Sequence, residues 1–255
     1  MKRKLVIELK FGGLGDHLFF SHIPRIAKTI YNYEYVYISN KSEIRSIATK
    51  QLIWDLNPYV DGFTDDDCTF FDNDIFNLII PNTNILDKVM LSYGFDDNER
   101  FHEPEIYYKP QIISDCKDLV VFDPNYISNI GLVSNKKLNK FLNGFSDVHV
   151  MKKMNKVVKF SVNNKEIVAV DIFNYCDIIF SSKQFICMTS GGATLSAALK
   201  KKSIVIYGFG QTELHRHSRL HNYVNLSSRN ANFLYFFYKI LYPLKSYIKK
   251  FKKIP

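Results

Sequence analysis

Residues 4–16 read Lys-Leu-Val-Ile-Glu-Leu-Lys-Phe-Gly-Gly-Leu-Gly-Asp, an apolar run that ends in three glycines and an aspartate. The apolar run predicts a strand, and the glycines predict a turn because they do not continue a strand comfortably. After the turn, apolar residues recur at spacings of three to four, which predicts a helix over 16–31 with Asp16 as its N-cap. This stretch therefore predicts a strand that passes through a glycine turn into a helix.

A second stretch has the same design. Residues 185–188 predict a buried strand, which runs into Thr189-Ser190-Gly191-Gly192-Ala193. Ser190 is expected to cap a helix that continues through Leu199. Two glycine turns of one type, far apart in the chain, suggest two successive units of similar build.

The rest of the chain alternates between strand and helix patterns, which is typical of an α/β protein with parallel sheets. The further predicted strands are 35–38, 76–80, 119–122, 148–150, 167–170 and 204–207, and the further predicted helices are 40–54, 85–93, 138–142 and 171–182. A polar passage over 96–111 is the candidate linker. The predicted domains are 1–113 and 114–230, each Rossmann-like, followed by a basic aromatic helix or tail over 231–255.

Composition and charge exclude some classes of protein. A chain of 255 residues with 46% hydrophobic residues can bury a sizeable core, which excludes intrinsic disorder. Nine Lys and Arg residues and no acidic residue follow Glu213, so this stretch accounts for the whole net charge of +9. Residues 1–213 are formally neutral. This distribution does not fit an evenly basic nucleic-acid-binding domain, and no nucleic-acid partner is expected.

The apolar segments are too short to span a membrane. The run 233–244 is interrupted by Lys239 and Pro243, and a membrane span needs about 20 apolar residues. The first residues lack the apolar stretch of a signal peptide, so a cytoplasmic protein is expected. Segment 233–255 has two interpretations: an amphipathic helix on the anionic inner membrane leaflet, which would make the protein peripheral, or a helix packed on the protein with its lysines in solvent.

Each glycine turn combines small residues with a helix N-terminus, where unsatisfied backbone N–H groups favour anions. The alternative is that the glycines only make tight turns. Asp16 would repel a phosphate, so the first turn is better suited to offer a base to a neutral hydroxyl, or else Asp16 is a plain cap. The second turn has no carboxylate nearby in the sequence, and Lys183 precedes it. A diphosphate is therefore expected at the second turn.

Three stretches, taken in order, resemble the heptosyltransferase-like glycosyltransferases of family 9. The stretch from Gly12 to Leu18, with Ile23-Pro24 after it, is similar to the first loop of that family, and 57–61, Asn-Pro-Tyr-Val-Asp, is similar to the segment after its second helix. Residues 189–199, followed by the strand 204–207 and Gly208, resemble its second glycine motif. Thr189 and Thr194 depart from the family, which has an acid and a histidine at these positions.

The resemblance implies a GT-B architecture, in which two Rossmann-like domains face each other across a cleft. It also implies inverting, metal-independent sugar transfer from a nucleotide-diphosphate sugar, without a cofactor, to a hydroxyl of lipopolysaccharide, lipooligosaccharide or capsule glycan, lipid-linked acceptors included. Asp16 would be the catalytic base. The remaining predicted site residues are Gly12, Gly13, Gly15 and His17 in the acceptor loop, and Thr189, Ser190, Gly191, Gly192, Lys183, Gln211, Thr212 and Glu213 around the nucleotide and diphosphate.

Other interpretations stay open at this point. Thr189 permits a non-catalytic module that only binds a nucleotide sugar. The first turn is also similar to that of family 11 fucosyltransferases, but residues 215–219 of this chain match the basic motif of that family poorly. A transferase of a phosphoryl-type group is a further alternative. Asp65-Asp66-Asp67 invites a metal-binding D-x-D interpretation, but a run of acids is more often a solvated loop. His215, His217 and His221 could bind zinc, but with three nitrogens and no carboxylate close by, loop contacts or anion binding are the better explanation. Asp123-Pro124-Asn125 could face the cleft, although a simple loop role explains this segment at least as well.

Overall fold

The computed structural model describes residues 3–127, 130–152, 156–157 and 165–228, and it contains two parallel β-sheets. The first sheet has three strands, in the order β1 (Lys4–Ile7), β2 (Tyr35–Ser39) and β3 (Gly62–Thr64). The remaining strands are β4 (Val120–Asp123), β5 (Asn125–Tyr126), β6 (Val148–Met151), β7 (Lys156–Val157), β8 (Lys165–Ile167), β9 (Gln184–Met188), β10 (Ser203–Tyr207) and β11 (Asn222–Asn225). Six of these form the second sheet, in the order β11-β10-β9-β4-β6-β8, while β5 and β7 pair antiparallel.

Seven α-helices connect the strands of the described chain. They are α1 (Leu14–Phe20), α2 (Ile23–Thr29), α3 (Ile47–Lys50), α4 (Ile85–Ser92), α5 (Asn135–Leu142), α6 (Ile172–Ser181) and α7 (Gly191–Ala198). A π-helical turn, Gln51–Asp55, continues α3, and single 3-10 turns lie at Asn73–Asn77, Ser114–Cys116 and Glu213–His215. The predicted α/β class with parallel sheets is confirmed, and no helix of the described ranges is long and apolar enough to cross a membrane.

The first predicted helix, 16–31, is two helices in the structure. It breaks at Ser21, whose hydroxyl donates to the carbonyl of Leu18 at 2.7 Å, and α2 then begins with Pro24 in its first turn. Proline fits there because the first N–H groups of a helix need no intrahelical acceptor. The prediction located the helical region but missed the break.

Three further predicted elements differ from the structure. The strand predicted over 167–170 shares only Ile167 with β8 (Lys165–Ile167). The helix predicted over 40–54 begins only at Ile47, where the Ser46 side chain accepts from the Thr49 N–H and caps α3. The strand predicted over 76–80 is wrong, because the chain forms a 3-10 turn and leaves Ile79 97% exposed. The Asp72 carboxylate accepts from the Asp74 N–H at 2.9 Å and starts this turn, a local bond that competes with strand formation.

Buried side chains of both sheets belong to one hydrophobic cluster. It includes Ile7 and Ile38 of the first sheet and Phe185 and Val205 of the second. Leu195 of α7 belongs to the same cluster. Because the apolar core runs continuously between the sheets, the predicted division into 1–113 and 114–230 facing across a cleft stays a prediction. Segment 231–255 lies outside the described residues, and so do both interpretations of it.

The predicted linker, 96–111, is anchored along its length. The Glu105 N–H donates to the Ser21 hydroxyl at 2.8 Å, and the Tyr108 hydroxyl donates to the Asp177 carboxylate of α6 at 2.9 Å. The His102 ring lies between Asp87 and Asp97, and although burial acts to lower its pKa, its hydrogen bonds to these two carboxylates raise the pKa above the usual value. This passage therefore ties elements of the first sheet to α6.

Candidate active site

The starts of α1 and α7 touch each other. A Cβ atom built on Gly15 would lie 3.3 Å from the Cα of Gly191, and one built on Gly191 would lie 3.1 Å from the backbone nitrogen of Gly15. A larger residue at either position would push the helices apart, so glycine permits this close approach. The structure thus brings together the two turns that the sequence analysis singled out.

The first turn carries a carboxylate that caps its own helix. Gly13 is the N-cap residue of α1, and Asp16 lies three residues into the helix, where its Oδ2 accepts from the Gly13 N–H at 3.1 Å. The prediction of Asp16 as N-cap is corrected to this position. The side chain is half-buried, so Asp16 combines a capping contact with access to solvent.

His17 and Gly12, two residues of the first turn, pack against other parts of the protein. His17 is 0% exposed, its Nδ1 accepts from Trp54 Nε1 at 2.8 Å, and its Nε2 donates to the Glu43 carbonyl at 2.9 Å. Burial lowers the pKa of His17 and favours this neutral form. A Cβ on Gly12 would lie 2.8 Å from the Glu43 carbonyl oxygen. The His17 side chain and the Cβ position of Gly12 therefore face other parts of the protein, and their predicted place in the acceptor loop stays a prediction.

The second turn is capped by a neutral side chain. Ser190 Oγ accepts from the Gly192 N–H at 3.3 Å and donates to the Met188 carbonyl at 3.2 Å, so Ser190 caps α7 as predicted. Thr189 is buried, and its hydroxyl donates to the Ile206 carbonyl of β10 at 3.1 Å. This hydroxyl therefore holds β9 against β10 rather than facing a ligand.

A buried carboxylate lies beside the second turn, contrary to the expectation from the sequence. Asp123 ends β4 and is 4% exposed, and its Oδ2 accepts from the Tyr175 hydroxyl of α6 at 2.5 Å. Burial raises the pKa of Asp123. A Cβ on Gly192 would lie 2.9 Å from that Oδ2. The sequence indicates Asp123 as a residue that could face the cleft, whereas no feature of the sequence around Tyr175 indicates its contact with this site.

The loop after β10 reaches both turns. The His217 ring of this loop packs edge-on against Phe19 of α1, with ring centres 5.4 Å apart, so the loop runs beside α1. Burial lowers the pKa of His215, and the negative charge of Asp16 opposes that shift. The Arg216 guanidinium lies 5.1 Å from the centre of the Tyr207 ring and pairs with Glu213. Tyr207 ends β10, and it follows Ile206, which pairs in register with Met188. Arg216 is therefore a cation at the same sheet edge as Ser190.

The other residues predicted to contact the nucleotide or diphosphate differ in their exposure and in their distance from the turns. Thr212 and Glu213 are exposed, and both polar atoms of the Gln211 side chain are buried without a partner among the described residues. Lys183 precedes the first residue of β9, whereas Ser190 follows its last residue. The five residues of β9 span about 16 Å at about 3.3 Å per residue. Lys183 therefore lies at the opposite end of β9 from the second turn, whereas Arg216 is a cation at the same sheet edge as that turn.

The histidines and acidic residues considered as metal ligands have other contacts. The ring nitrogens of His217 and His221 lie 3.2 Å and 2.9 Å from the carbonyl oxygens of His215 and Ala193. The Asp66 carboxylate pairs with Lys4. Within the part of the chain that the structure describes, no three His, Cys, Asp or Glu residues are grouped to hold a metal ion. Metal independence of the reaction stays a prediction.

No protein-family model matches the sequence, and no curated protein is similar to it in sequence. Solved structures are nevertheless similar in fold. A family 9 glycosyltransferase from Veillonella parvula has a TM-score of 0.56 at 10% identity, over 94% of this chain and 89% of that one. The Escherichia coli heptosyltransferase WaaC, solved with ADP, has a TM-score of 0.53 at 9% identity, over 93% of this chain and 99% of that one.

A third structure is the iron-containing dodecameric heptosyltransferase TibC from enterotoxigenic E. coli, solved with ADP-D-β-D-heptose. Its TM-score is 0.62 at 13% identity, over 87% of this chain. The present chain spans 62% of the length of TibC. At these identities the similarity shows the fold alone: the chain has the fold of family 9 glycosyltransferases, as the motifs predicted.

Proposed function

We propose that the protein is a glycosyltransferase that moves a sugar from a nucleotide-diphosphate sugar to a hydroxyl of a cell-surface glycan. The observation that carries the proposal is the contact between the starts of α1 and α7. It brings the start of α1, which carries the half-buried Asp16 carboxylate, against the N-terminus of α7, and the charge of Asp16 acts on His215, the residue before Arg216. A base for an alcohol and positive groups for a diphosphate are the two requirements of inverting sugar transfer.

In the proposed reaction, Asp16 accepts the proton of the acceptor hydroxyl as its oxygen attacks the anomeric carbon. The bond from that carbon to the diphosphate oxygen breaks with inversion, and its electron pair leaves with the nucleoside diphosphate. The first amides of α7 carry the positive end of the helix dipole, and Arg216 supplies a full charge. Both would stabilise the leaving group, and no step requires a metal.

The proposed partners follow from the same chemistry. The donor is a nucleotide-diphosphate sugar, with the nucleotide near Gln211, Thr212 and Glu213 after β10. TibC was solved with an ADP-sugar and WaaC with ADP, which supports adenine nucleotides as the first donors to test. The acceptor is proposed to be a glycan of lipopolysaccharide, lipooligosaccharide or capsule, handled on the cytoplasmic side of the membrane.

One observation favours a second candidate, a non-catalytic module of the same fold that only binds a nucleotide sugar. The Asp16 carboxylate already accepts from the Gly13 N–H at 3.1 Å, so capping alone explains this residue. The two candidates differ in whether the basicity of Asp16 matters. Asparagine at this position keeps an oxygen that accepts from Gly13 but cannot take up the proton.

The test begins with a thermal-shift screen of ADP-, GDP-, UDP-, CMP- and dTDP-sugars, because a ligand at 100 times its Kd adds about 2.7 kcal/mol of stability. The release of nucleotide from the selected donor is then compared between wild type and Asp16→Asn. We expect turnover to fall about 10²- to 10⁴-fold, with an unchanged melting temperature and donor Kd. Asp65→Asn, a change of an exposed loop carboxylate, is the control and should keep wild-type turnover.

Two outcomes would contradict the proposal in different ways. Equal turnover in wild type and Asp16→Asn would remove Asp16 as the base. Tight binding of a nucleotide sugar by wild type, with no turnover on any glycan acceptor tried, would establish the non-catalytic module instead.

A further inference from the structure

Two side chains, the buried Asp123 and the half-buried Tyr175, lie directly beside the first turn of α7. A Cβ on Gly192 would lie 2.4 Å from the Tyr175 hydroxyl oxygen and 2.9 Å from Asp123 Oδ2, so both groups touch the backbone of Gly192 closely. Tyr175 comes from α6 and Asp123 from the end of β4. The elements α6, β4 and α7 therefore meet at this residue.

Asp123 is held from both sides. Its Oδ1 accepts from the backbone N–H of Asn125 at 2.9 Å and from the Asn125 side-chain amide at 2.7 Å, and its Oδ2 accepts from Tyr175 at 2.5 Å. A carboxylate with donors on both oxygens has little freedom to move. This bond also fixes the Tyr175 hydroxyl, so Gly192 contacts two polar groups whose positions are both restrained.

We propose that Asp123 and Tyr175 are positioning residues, which set the place of the first turn of α7 and thereby its affinity for the donor diphosphate. This assignment rests on the proposed function. Tyr175 is half-buried and Asp123 is 4% exposed, and both contact Gly192, so they act through the turn. The proposed diphosphate contacts are backbone amides of that turn, and small displacements of such groups reduce binding strongly.

The burial of Asp123 supports this role. Burial raises its pKa, and Tyr175 and Cys187 are the titratable groups beside it from α6 and β9. A neutral or hydrogen-bonded carboxyl repels a diphosphate less than a free carboxylate does. The hydrogen bond from Tyr175 therefore both restrains the position of the Asp123 carboxyl and disperses its charge.

The chain offers a matched control for this contact. Like Tyr175, Tyr108 donates its hydroxyl to an aspartate. Its acceptor is Asp177 of α6, at 2.9 Å, and this bond anchors the predicted linker rather than α7. Tyr175→Phe and Tyr108→Phe each remove one tyrosine hydroxyl from a Tyr–Asp hydrogen bond. They should therefore lower the melting temperature by similar amounts, while only the first should disturb the diphosphate site.

The experiment measures the Kd of ADP, GDP, UDP and dTDP by isothermal titration calorimetry for wild type and both variants. For the nucleotide that binds, we expect Tyr175→Phe to raise the Kd about tenfold, which corresponds to about 1.4 kcal/mol, and Tyr108→Phe to leave it unchanged. With the matching sugar nucleotide, KM should rise in Tyr175→Phe at unchanged kcat, the opposite of the Asp16→Asn pattern.

Asp123→Asn serves as a second variant should Tyr175→Phe fail to fold. Its oxygen can still accept from Tyr175, but its amide group faces the two N–H donors of Asn125, so an increased Kd is expected here as well. Unchanged Kd and KM in the folded variant would overturn the positioning role and leave the proposed function intact. Failure of wild type to bind any of the four nucleotides would overturn the proposed function, and this assignment with it.

Discussion

The two glycine turns look alike in sequence but are built differently. At the first turn, the helix N-terminus is already occupied by an anion of the protein, because the Asp16 carboxylate accepts from the Gly13 N–H. At the second turn, the cap is the neutral hydroxyl of Ser190. A helix N-terminus attracts negative charge, so a neutral cap leaves α7 the better place for an external anion. The comparison teaches that the capping residue, more than the glycines, distinguishes the two turns.

The glycines also have different neighbours. Gly12 lies against the backbone of Glu43, Gly15 and Gly191 lie against each other, and Gly192 lies against Tyr175 and Asp123. At all four positions the missing side chain makes room for another part of the protein. Close packing between helices and loops therefore explains these glycines without a ligand, which was the alternative left open by the sequence.

The largest expected effect in this comparison is that of Gly192→Ala. The new methyl group would overlap the Tyr175 hydroxyl and Asp123 Oδ2, which are hydrogen-bonded to each other, and Asp123 is held in addition by Asn125. Overpacking of this kind costs about 1 to 3 kcal/mol. The measurement is the free energy of unfolding in urea.

Gly144→Ala is the control, because its Cβ would meet only the Phe141 carbonyl, at 3.2 Å. We expect this control to unfold close to the wild-type midpoint. A Gly192→Ala variant as stable as Gly144→Ala would mean that the second turn is looser than described and that Tyr175 does not support it.

An intermediate effect is expected for Ser190→Ala, which removes the neutral cap. Loss of a serine N-cap costs about 1 kcal/mol, and the same loss is expected for Ser134→Ala at the start of α5, where Ser134 also caps its helix. Only Ser190→Ala should weaken the binding of the nucleotide selected above, as measured by calorimetry. Equal nucleotide affinity in the two variants would place the diphosphate away from α7.

The smallest effect concerns the charge of the first turn. The pKa of His215 is lowered by burial, and the negative charge of Asp16 partly opposes this, so Asp16→Asn should lower the pKa of His215 further. An NMR titration of the histidine ring protons measures the shift, with Asp65→Asn as the control that leaves it unchanged. An identical His215 titration in wild type and Asp16→Asn would contradict the placement of this loop beside the first turn.

Much of the fold could be predicted because it depends on local patterns. The parallel strands ending at both turns, the cap at Ser190 and the helices near 85–92 and 172–181 agree with the structure within a few residues. The failures were also local in origin. Ser21 and Asp72 form side-chain hydrogen bonds that interrupt a helix and a strand, and apolar periodicity does not report such bonds.

The candidate site was predictable only in part. Asp16 and the 189–192 turn were identified because glycine, serine and aspartate at a strand-to-helix junction have few local uses. The burial of His17 between Trp54 and Glu43, and the distance of Lys183 from the turn, were not accessible in this way. The burial of His17 depends on residues from other elements of the chain, and the position of Lys183 depends on the length and direction of β9.

By itself, the sequence determined the α/β class, the positions of most strands and helices, and the two turns where ligand chemistry is expected, since propensity and periodicity act between near neighbours. Only the tertiary structure decided that Gly15 meets Gly191, that Asp123 and Tyr175 lie beside Gly192, and that Arg216 lies over the ring of Tyr207 at the end of β10, whereas Lys183 lies at the opposite end of β9 from the second turn. These contacts join residues distant in the chain, and their geometry depends on how the sheets and helices pack around the common core.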